Sequence, residues 1–216
     1  MQALNYLEHP AQSGTAKNMV ILLHGLGSNA EDLMGLVPHF APHMPDTLFI
    51  SPDAPDACDF GGPGFQWFSL QDRHPDKMRA GLETAAPILN HFIDQMSEKY
   101  DVSNDKIAVV GFSQGTMMTF YTMPQRKNAC ACLVGFSGLL FESETLKDKE
   151  GLSKMPVLVI HGEQDDVVDV EFLDKAYEGF AEAGFEVEAL KCPETGHWID
   201  PLGLNRSIAF LNEHLS

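Results

Sequence analysis

The sequence predicts a single α/β domain, a mostly parallel central sheet with helices on both faces and no large lid. Three observations lead there. Short β-rich runs alternate with longer helical patterns, as parallel strands joined by crossover helices require. Several of those runs are apolar at nearly every residue, which is expected of strands buried on both faces. The length of 216 residues, with 44% hydrophobic and 21% charged side chains, suits one core spanning 1–216, and no repeat or low-complexity linker divides it.

In chain order, a first strand is expected over 19–24, ending in the glycine-rich turn His24-Gly25-Leu26-Gly27. A helix over 31–40 and a strand over 47–51 follow. The glycine- and proline-rich stretch 52–64 reads as a long loop, of the kind that borders sites in such sheets. A long helix is expected over 76–99, kinked or divided by Pro87; beyond it Ile88, Leu89, Phe92, Ile93 and Met96 form a stripe that faces the sheet. Strands over 106–112, 131–137, 156–161 and 185–190 and helices over 114–123, 170–183 and 204–215 complete the alternation. With no insertion long enough for a cap, an open, shallow site is expected.

The formal net charge of −17 argues against nucleic acid or an anionic membrane as partner, since no Lys/Arg cluster offers a local exception. Cys58, Cys130, Cys132 and Cys192 have neither C-x-x-C spacing nor the density of a disulfide scaffold and read as reduced thiols. The first ten residues carry no basic segment followed by an apolar run, and no apolar stretch approaches the roughly 20 residues of a membrane span. A cytoplasmic location without integral membrane association is expected.

The most informative residues are Gly111-Phe112-Ser113-Gln114-Gly115, directly after the apolar run Ile107-Ala108-Val109-Val110. Glycine and serine are common, so the pentapeptide alone is only moderately specific. A strand before it and a helix after it make it a nucleophile elbow of the α/β-hydrolase fold, with the serine Oγ presented above the sheet. Bulk at the flanking positions would strike the neighbouring strand or helix.

A serine hydroxyl needs a histidine to take its proton and a carboxylate to steady the imidazolium, in the chain order Ser, Asp, His. After the strand 156–161 come Glu163, Asp165, Asp166 and Asp169, and spacing does not separate Asp165 from Asp166. After the strand 185–190 comes His197, which its position sets apart from His9, His74, His91 and His214, read as surface residues. His161 reads as a structural residue hydrogen-bonded to the acidic turn. His39 and His43 are four apart, but Pro42 breaks the helix that would present both to an ion; no metal and no cofactor are expected. An oxyanion hole needs two main-chain N–H groups, for which Gln114 and Leu26 are the candidates.

Together His24-Gly-Leu-Gly27, Gly111-Phe-Ser-Gln-Gly115, His161-Gly-Glu-Gln-Asp165 through Val168, and Gly196-His197 resemble the phospholipase/carboxylesterase family that includes the acyl-protein thioesterases. The likeness covers nearly the whole chain. It implies Ser113 as nucleophile, His197 as base, Asp165 as acid, Leu26 and Gln114 as oxyanion donors, and Trp67-Phe68 beside an acyl pocket; by composition those aromatics read as core. It implies as substrate a small-molecule ester, a lysophospholipid or an acyl thioester. Exposed apolar residues near 65–68 would suit a lipid chain or a homodimer contact. Asp166 stands where the family usually has proline, Thr116 where it has a second glycine, and Ser28-Asn29 where the early loop usually carries an aspartate. A hydrolase of amides or lactones and a non-catalytic binding protein are the competing readings on the same scaffold.

Overall fold

The computed structural model describes residues 3–215; residues 1, 2 and 216 of the expected domain lie outside it. Seven strands form one sheet: β1 (Tyr6–His9), β2 (Asn18–Leu23), β3 (Thr47–Pro52), β6 (Ile107–Phe112), β7 (Cys132–Phe136), β8 (Val157–Gly162) and β9 (Val187–Cys192). Between β3 and β6 lie β4 (Asp56–Ala57) and β5 (Phe65–Gln66), a separate two-stranded ribbon. The order across the sheet is β1-β3-β2-β6-β7-β8-β9, parallel throughout except for β1. Every parallel strand therefore ends along the same edge of the sheet, and the connections leaving that edge converge.

Alternation along the strands divides the core in two. Met19, Ile21 and Leu23 of β2, Ile107 and Val109 of β6, and Val157 and Val159 of β8 face one side. There they meet α3 (Pro75–Tyr100), α4 (Gln114–Thr122) and α5 (Glu171–Glu182), through Leu89, Phe92, Phe120 and Phe180 among others. The intervening residues Val20, Leu22, Ala108, Val110, Leu158 and Ile160 face α1 (Ala30–Met34), α2 (Val37–Phe40) and α6 (Pro201–Leu215). Both faces are covered, which is why the strands are apolar almost without interruption.

The expected helix over 31–40 is two short helices. α1 is capped by the Asn29 side chain, which accepts from the Glu31 and Asp32 N–H groups, and the chain re-starts at α2 after Gly35-Leu36. Conversely, Pro87 does not divide α3, which runs as one helix from residue 75 to 100. Pro87 and Glu83 are both exposed, so the hydrogen bond lost with the missing N–H falls on the solvent side of the helix, where the break costs least. Leu89, Phe92, Ile93 and Met96 are buried as expected, with Ile88 half-buried at the margin. β9 begins two residues later than expected and α6 three residues earlier, at Pro201.

Residues 137–156 hold a single 3-10 segment, Ser143–Asp148, which packs on α5. The four cysteines are free and buried, and among the described residues no helix is long and apolar enough to cross a membrane.

Candidate active site

The elbow is built by close approach. Ser113 stands between β6 and α4 with φ 53° and ψ −116°, a region an L-residue enters only under strain. A Cβ on Gly115 would lie 1.9 Å from the Leu23 carbonyl oxygen, and one on Gly111 2.5 Å from the Gly115 carbonyl carbon. Neither backbone can yield, so only glycine lets α4 pack onto β2 and β6 at this angle. The Ser113 N–H donates to the Phe136 oxygen at 2.9 Å, which ties the turn to β7.

From the ends of β8 and β9 come the partners. His197 Nε2 lies 3.0 Å from Ser113 Oγ, and its Nδ1 lies 2.7 Å from Asp165 Oδ2. With the proton on Nδ1 donated to the carboxylate, the Nε2 lone pair faces the serine hydroxyl. Asp165 Oδ1 accepts the Val167 and Val168 N–H groups, each at 2.9 Å. Burial alone would raise the Asp165 carboxyl, but the Val168 N–H, the His197 bond and the Val167 N–H outweigh it and hold the group below its ordinary range. Of the carboxylates that spacing left open, Asp165 meets His197, whereas Glu163, Asp166 and Asp169 are exposed.

His161 makes the contact expected of it. Its side chain is fully buried, Nε2 donates to the Val168 oxygen at 2.8 Å, and the same nitrogen lies 3.2 Å from Asp165 Oδ2. The acid is thus flanked by two imidazoles. Burial pushes His161 below the usual histidine range, and it is neutral near pH 7.

The residues of the two amide candidates, Leu26 and Gln114, line the cavity that contains Ser113. Gln114 opens α4, so its N–H belongs to the donors a helix leaves without an internal acceptor. Among the described residues the Leu26 N–H has no main-chain acceptor. The loop carrying Leu26 is fixed by His24, which is fully buried. His24 Nε2 accepts the Ala54 N–H at 3.0 Å, so the proton sits on Nδ1 and is donated to the Gly25 oxygen at 2.7 Å. Burial pushes this imidazole below its usual range.

Trp67 and Phe68 are placed otherwise than the resemblance implied. They are 1% and 3% exposed, belong to the core and do not line the cavity at Ser113. The Trp67 indole N–H donates to the His24 oxygen at 3.1 Å. The Gln114 side chain grips the same segment, accepting the Trp67 N–H at 2.9 Å and donating to the Phe68 oxygen at 2.7 Å. These aromatics therefore brace both candidate oxyanion loops from beneath. Because Gln66, Trp67 and Phe68 are buried and Phe65 is half-buried, the segment offers no exposed patch for a lipid chain or a second copy.

Ser113 opens instead onto a cavity of about 420 Å³ lined by Leu70, Arg73, Met78, Met117, Leu139, Val167 and Phe172, with Leu26, Gln114 and His197 at its head. None of the apolar liners carries a local sequence signal, because they come from separate segments that only the fold assembles. Among the described residues no group of three or more His, Cys, Asp and Glu side chains is placed to hold a metal ion.

The model of the phospholipase/carboxylesterase family matches residues 5–215. The chain belongs to that family. Esterase YpfH of Escherichia coli is 28% identical to it over 93% of this chain and 82% of its own length. Acyl-protein thioesterase 1 of Kluyveromyces lactis is 26% identical over 78% of each chain. Among solved structures, esterase PE8 superposes with a TM-score of 0.92 at 37% identity, covering 98% of this chain and 99% of its own. The fold is that of the α/β-hydrolases.

The two buried neutral histidines give the family member a defined pH response. An unfolded histidine titrates near 6.5, so below that pH the unfolded chain binds protons that folded His24 and His161 refuse. Stability from these groups is complete above pH 6.5 and is lost as the pH falls toward their lowered folded values. The depressed Asp165 and Asp200 carboxyls add a further loss only below about pH 3.8. Thermal melting from pH 8 to pH 5 is expected to show Tm falling below pH 6.5, with a shallower fall in His161→Gln; a flat Tm across that range would contradict neutral burial.

Proposed function

We propose that the protein is a serine hydrolase that cleaves carboxylic esters, and thioesters of the same acyl groups, through an acyl-enzyme. The observation that carries this reading is the unbroken chain from Ser113 Oγ through His197 to Asp165, with hydrogen-bond lengths of 3.0 and 2.7 Å. Ser113 Oγ attacks the substrate carbonyl carbon while His197 Nε2 takes its proton, and Asp165 stabilises the resulting imidazolium. The carbonyl oxygen, now negative, accepts from the Leu26 and Gln114 N–H groups; one such donor typically contributes about 10²- to 10³-fold in rate. His197 then returns the proton to the departing alcohol oxygen or thiol sulfur as the bond to the acyl carbon breaks. Water repeats the sequence, its proton passing to His197 and back to Ser113 Oγ, and the carboxylic acid leaves.

The acyl chain is assigned to the 420 Å³ cavity, whose lining of Leu70, Met78, Met117, Leu139 and Phe172 suits an aliphatic group. A cytoplasmic site of action fits four free, buried cysteines.

The test is kcat/KM for ester and thioester substrates of increasing acyl length, with Ser113→Ala as the blank. Turnover that depends on Ser113 and rises over several methylenes is expected. Amide or lactone turnover without ester turnover would replace this reading with the competing hydrolase. Failure of a fluorophosphonate to label Ser113 would favour the binding-protein reading.

A further inference from the structure

His197 borders two cavities. One is the 420 Å³ cavity that also contains Ser113; the other, of about 290 Å³, lies against Asp32, Leu33, Leu36, Phe112, Trp198 and Ile199 and does not reach the serine. The Phe112 ring packs against the His197 imidazole with centroids 4.9 Å apart. Trp198 is 56% exposed although it directly follows His197 in the chain.

We propose that this second groove holds the alcohol or thiol half of the substrate, and that it selects bulky apolar leaving groups without negative charge. The inference rests on the acyl-transfer reading above. In that reading the proton held on His197 Nε2 must reach the departing atom, so the leaving group lies on the histidine's side of the acyl carbon. The carbonyl oxygen is directed at Leu26 and Gln114, and the acyl chain occupies the cavity that contains Ser113. What remains is the groove that shares His197 but not the nucleophile, as a group attached beyond the scissile bond requires.

Its chemistry defines the ligand class. Leu33, Leu36, Phe112 and Ile199 supply apolar walls, and the Trp198 face is left in water until a group covers it. Asp32 is the one carboxylate of the lining, and no lysine or arginine joins it. Its Oδ2 accepts the Ser28 hydroxyl at 2.6 Å, which holds the charge at the groove. An anionic alcohol is therefore repelled, while an aryl or alkyl alcohol gains contact with Trp198. The acyl cavity differs: its one carboxylate, Asp169, is accompanied in the lining by Arg73.

The experiment uses two ester series: acetates of methyl, butyl, benzyl, naphthylmethyl and carboxybenzyl alcohols, and ethyl esters of acids of increasing length. Leu36→Trp fills the groove from the link between α1 and α2, and Trp198→Ala removes its open wall. Both are expected to lower the naphthylmethyl-to-methyl ratio of kcat/KM by about tenfold, with the shape of the acyl-length profile retained. Asp32→Asn, which preserves the acceptor for Ser28, is expected to raise turnover of the carboxybenzyl ester relative to benzyl. If Leu36→Trp leaves the alcohol ratio within about twofold of wild type, or shifts the acyl-length profile instead, the assignment of the groove is overturned while the acyl-transfer reading stands. Absence of Ser113-dependent turnover on every ester would remove both.

Discussion

Ser113→Ala is expected to lower kcat/KM on any ester the protein turns over by about 10⁴- to 10⁶-fold, with Tm close to that of wild type. Alanine keeps the Cβ and tolerates the same backbone, so the strained φ of 53° is neither relieved nor worsened. What disappears is the oxygen 3.0 Å from His197 Nε2. The Leu26 and Gln114 amides remain, so a trace of hydrolysis by directly attacking water is expected, and labelling by a fluorophosphonate is lost. Steady-state kinetics with a burst assay separate that trace from acyl-enzyme turnover. Turnover at the wild-type rate would show that Ser113 is not the nucleophile.

The second large effect is expected at Asp165, where Asp165→Asn should cost about 10⁴-fold in kcat and the neighbouring Asp166→Asn less than about twofold. The Asp165 side chain is completely buried and every contact it makes is with a donor: two main-chain N–H groups on Oδ1, and His197 with His161 on Oδ2. An asparagine must turn its NH₂ toward one of those sets. Facing His197, it leaves Nδ1 to accept and moves the ring proton to Nε2, where it blocks uptake of the serine proton. Facing the main chain, it meets the Val167 and Val168 donors and destabilises the loop. Asp166 has no such partners and is exposed. The two variants measured side by side decide the acid; a damaging Asp166→Asn with a benign Asp165→Asn would reverse the assignment.

What the sequence made legible follows from where the physical signal is local. The doubly buried strands announce themselves because each is a continuous apolar run, and the elbow because Gly111 and Gly115 stand together in one pentapeptide around Ser113, even though the contact that imposes Gly115 is with the Leu23 oxygen of β2. β1 carries no such signal because Tyr6–His9 is a four-residue edge strand with half its side chains exposed, and β4 and β5 are only two residues each. Gly35 ends α1 with an ordinary helical φ of −58°, so the break there follows from packing rather than backbone chemistry. Asp165 and Asp166 could not be separated by spacing because which carboxylate turns inward depends on His161 and His197, one of them 32 residues away. Trp67 and Phe68, which the resemblance placed beside the acyl pocket, are buried in the core, while the cavity liners, drawn from α3, α4, α5 and three loops, share no pattern along the chain.

The Gln114 clamp divides the surroundings of Ser113 into parts with different freedom to change. Trp67 and Phe68 are bolted to the side chain of the same residue whose main chain is assigned to the oxyanion, and through Trp67 to the loop bearing Leu26. A substitution there alters the reaction's machinery along with the shape of the site. Leu70, Met78, Leu139 and Phe172 contribute only surface to the cavity, so drift at those positions can re-tailor acyl preference while the bond-breaking apparatus is inherited intact. In directed evolution, libraries confined to these four should yield altered chain-length preference at a far higher frequency of active clones than libraries at Trp67 and Phe68.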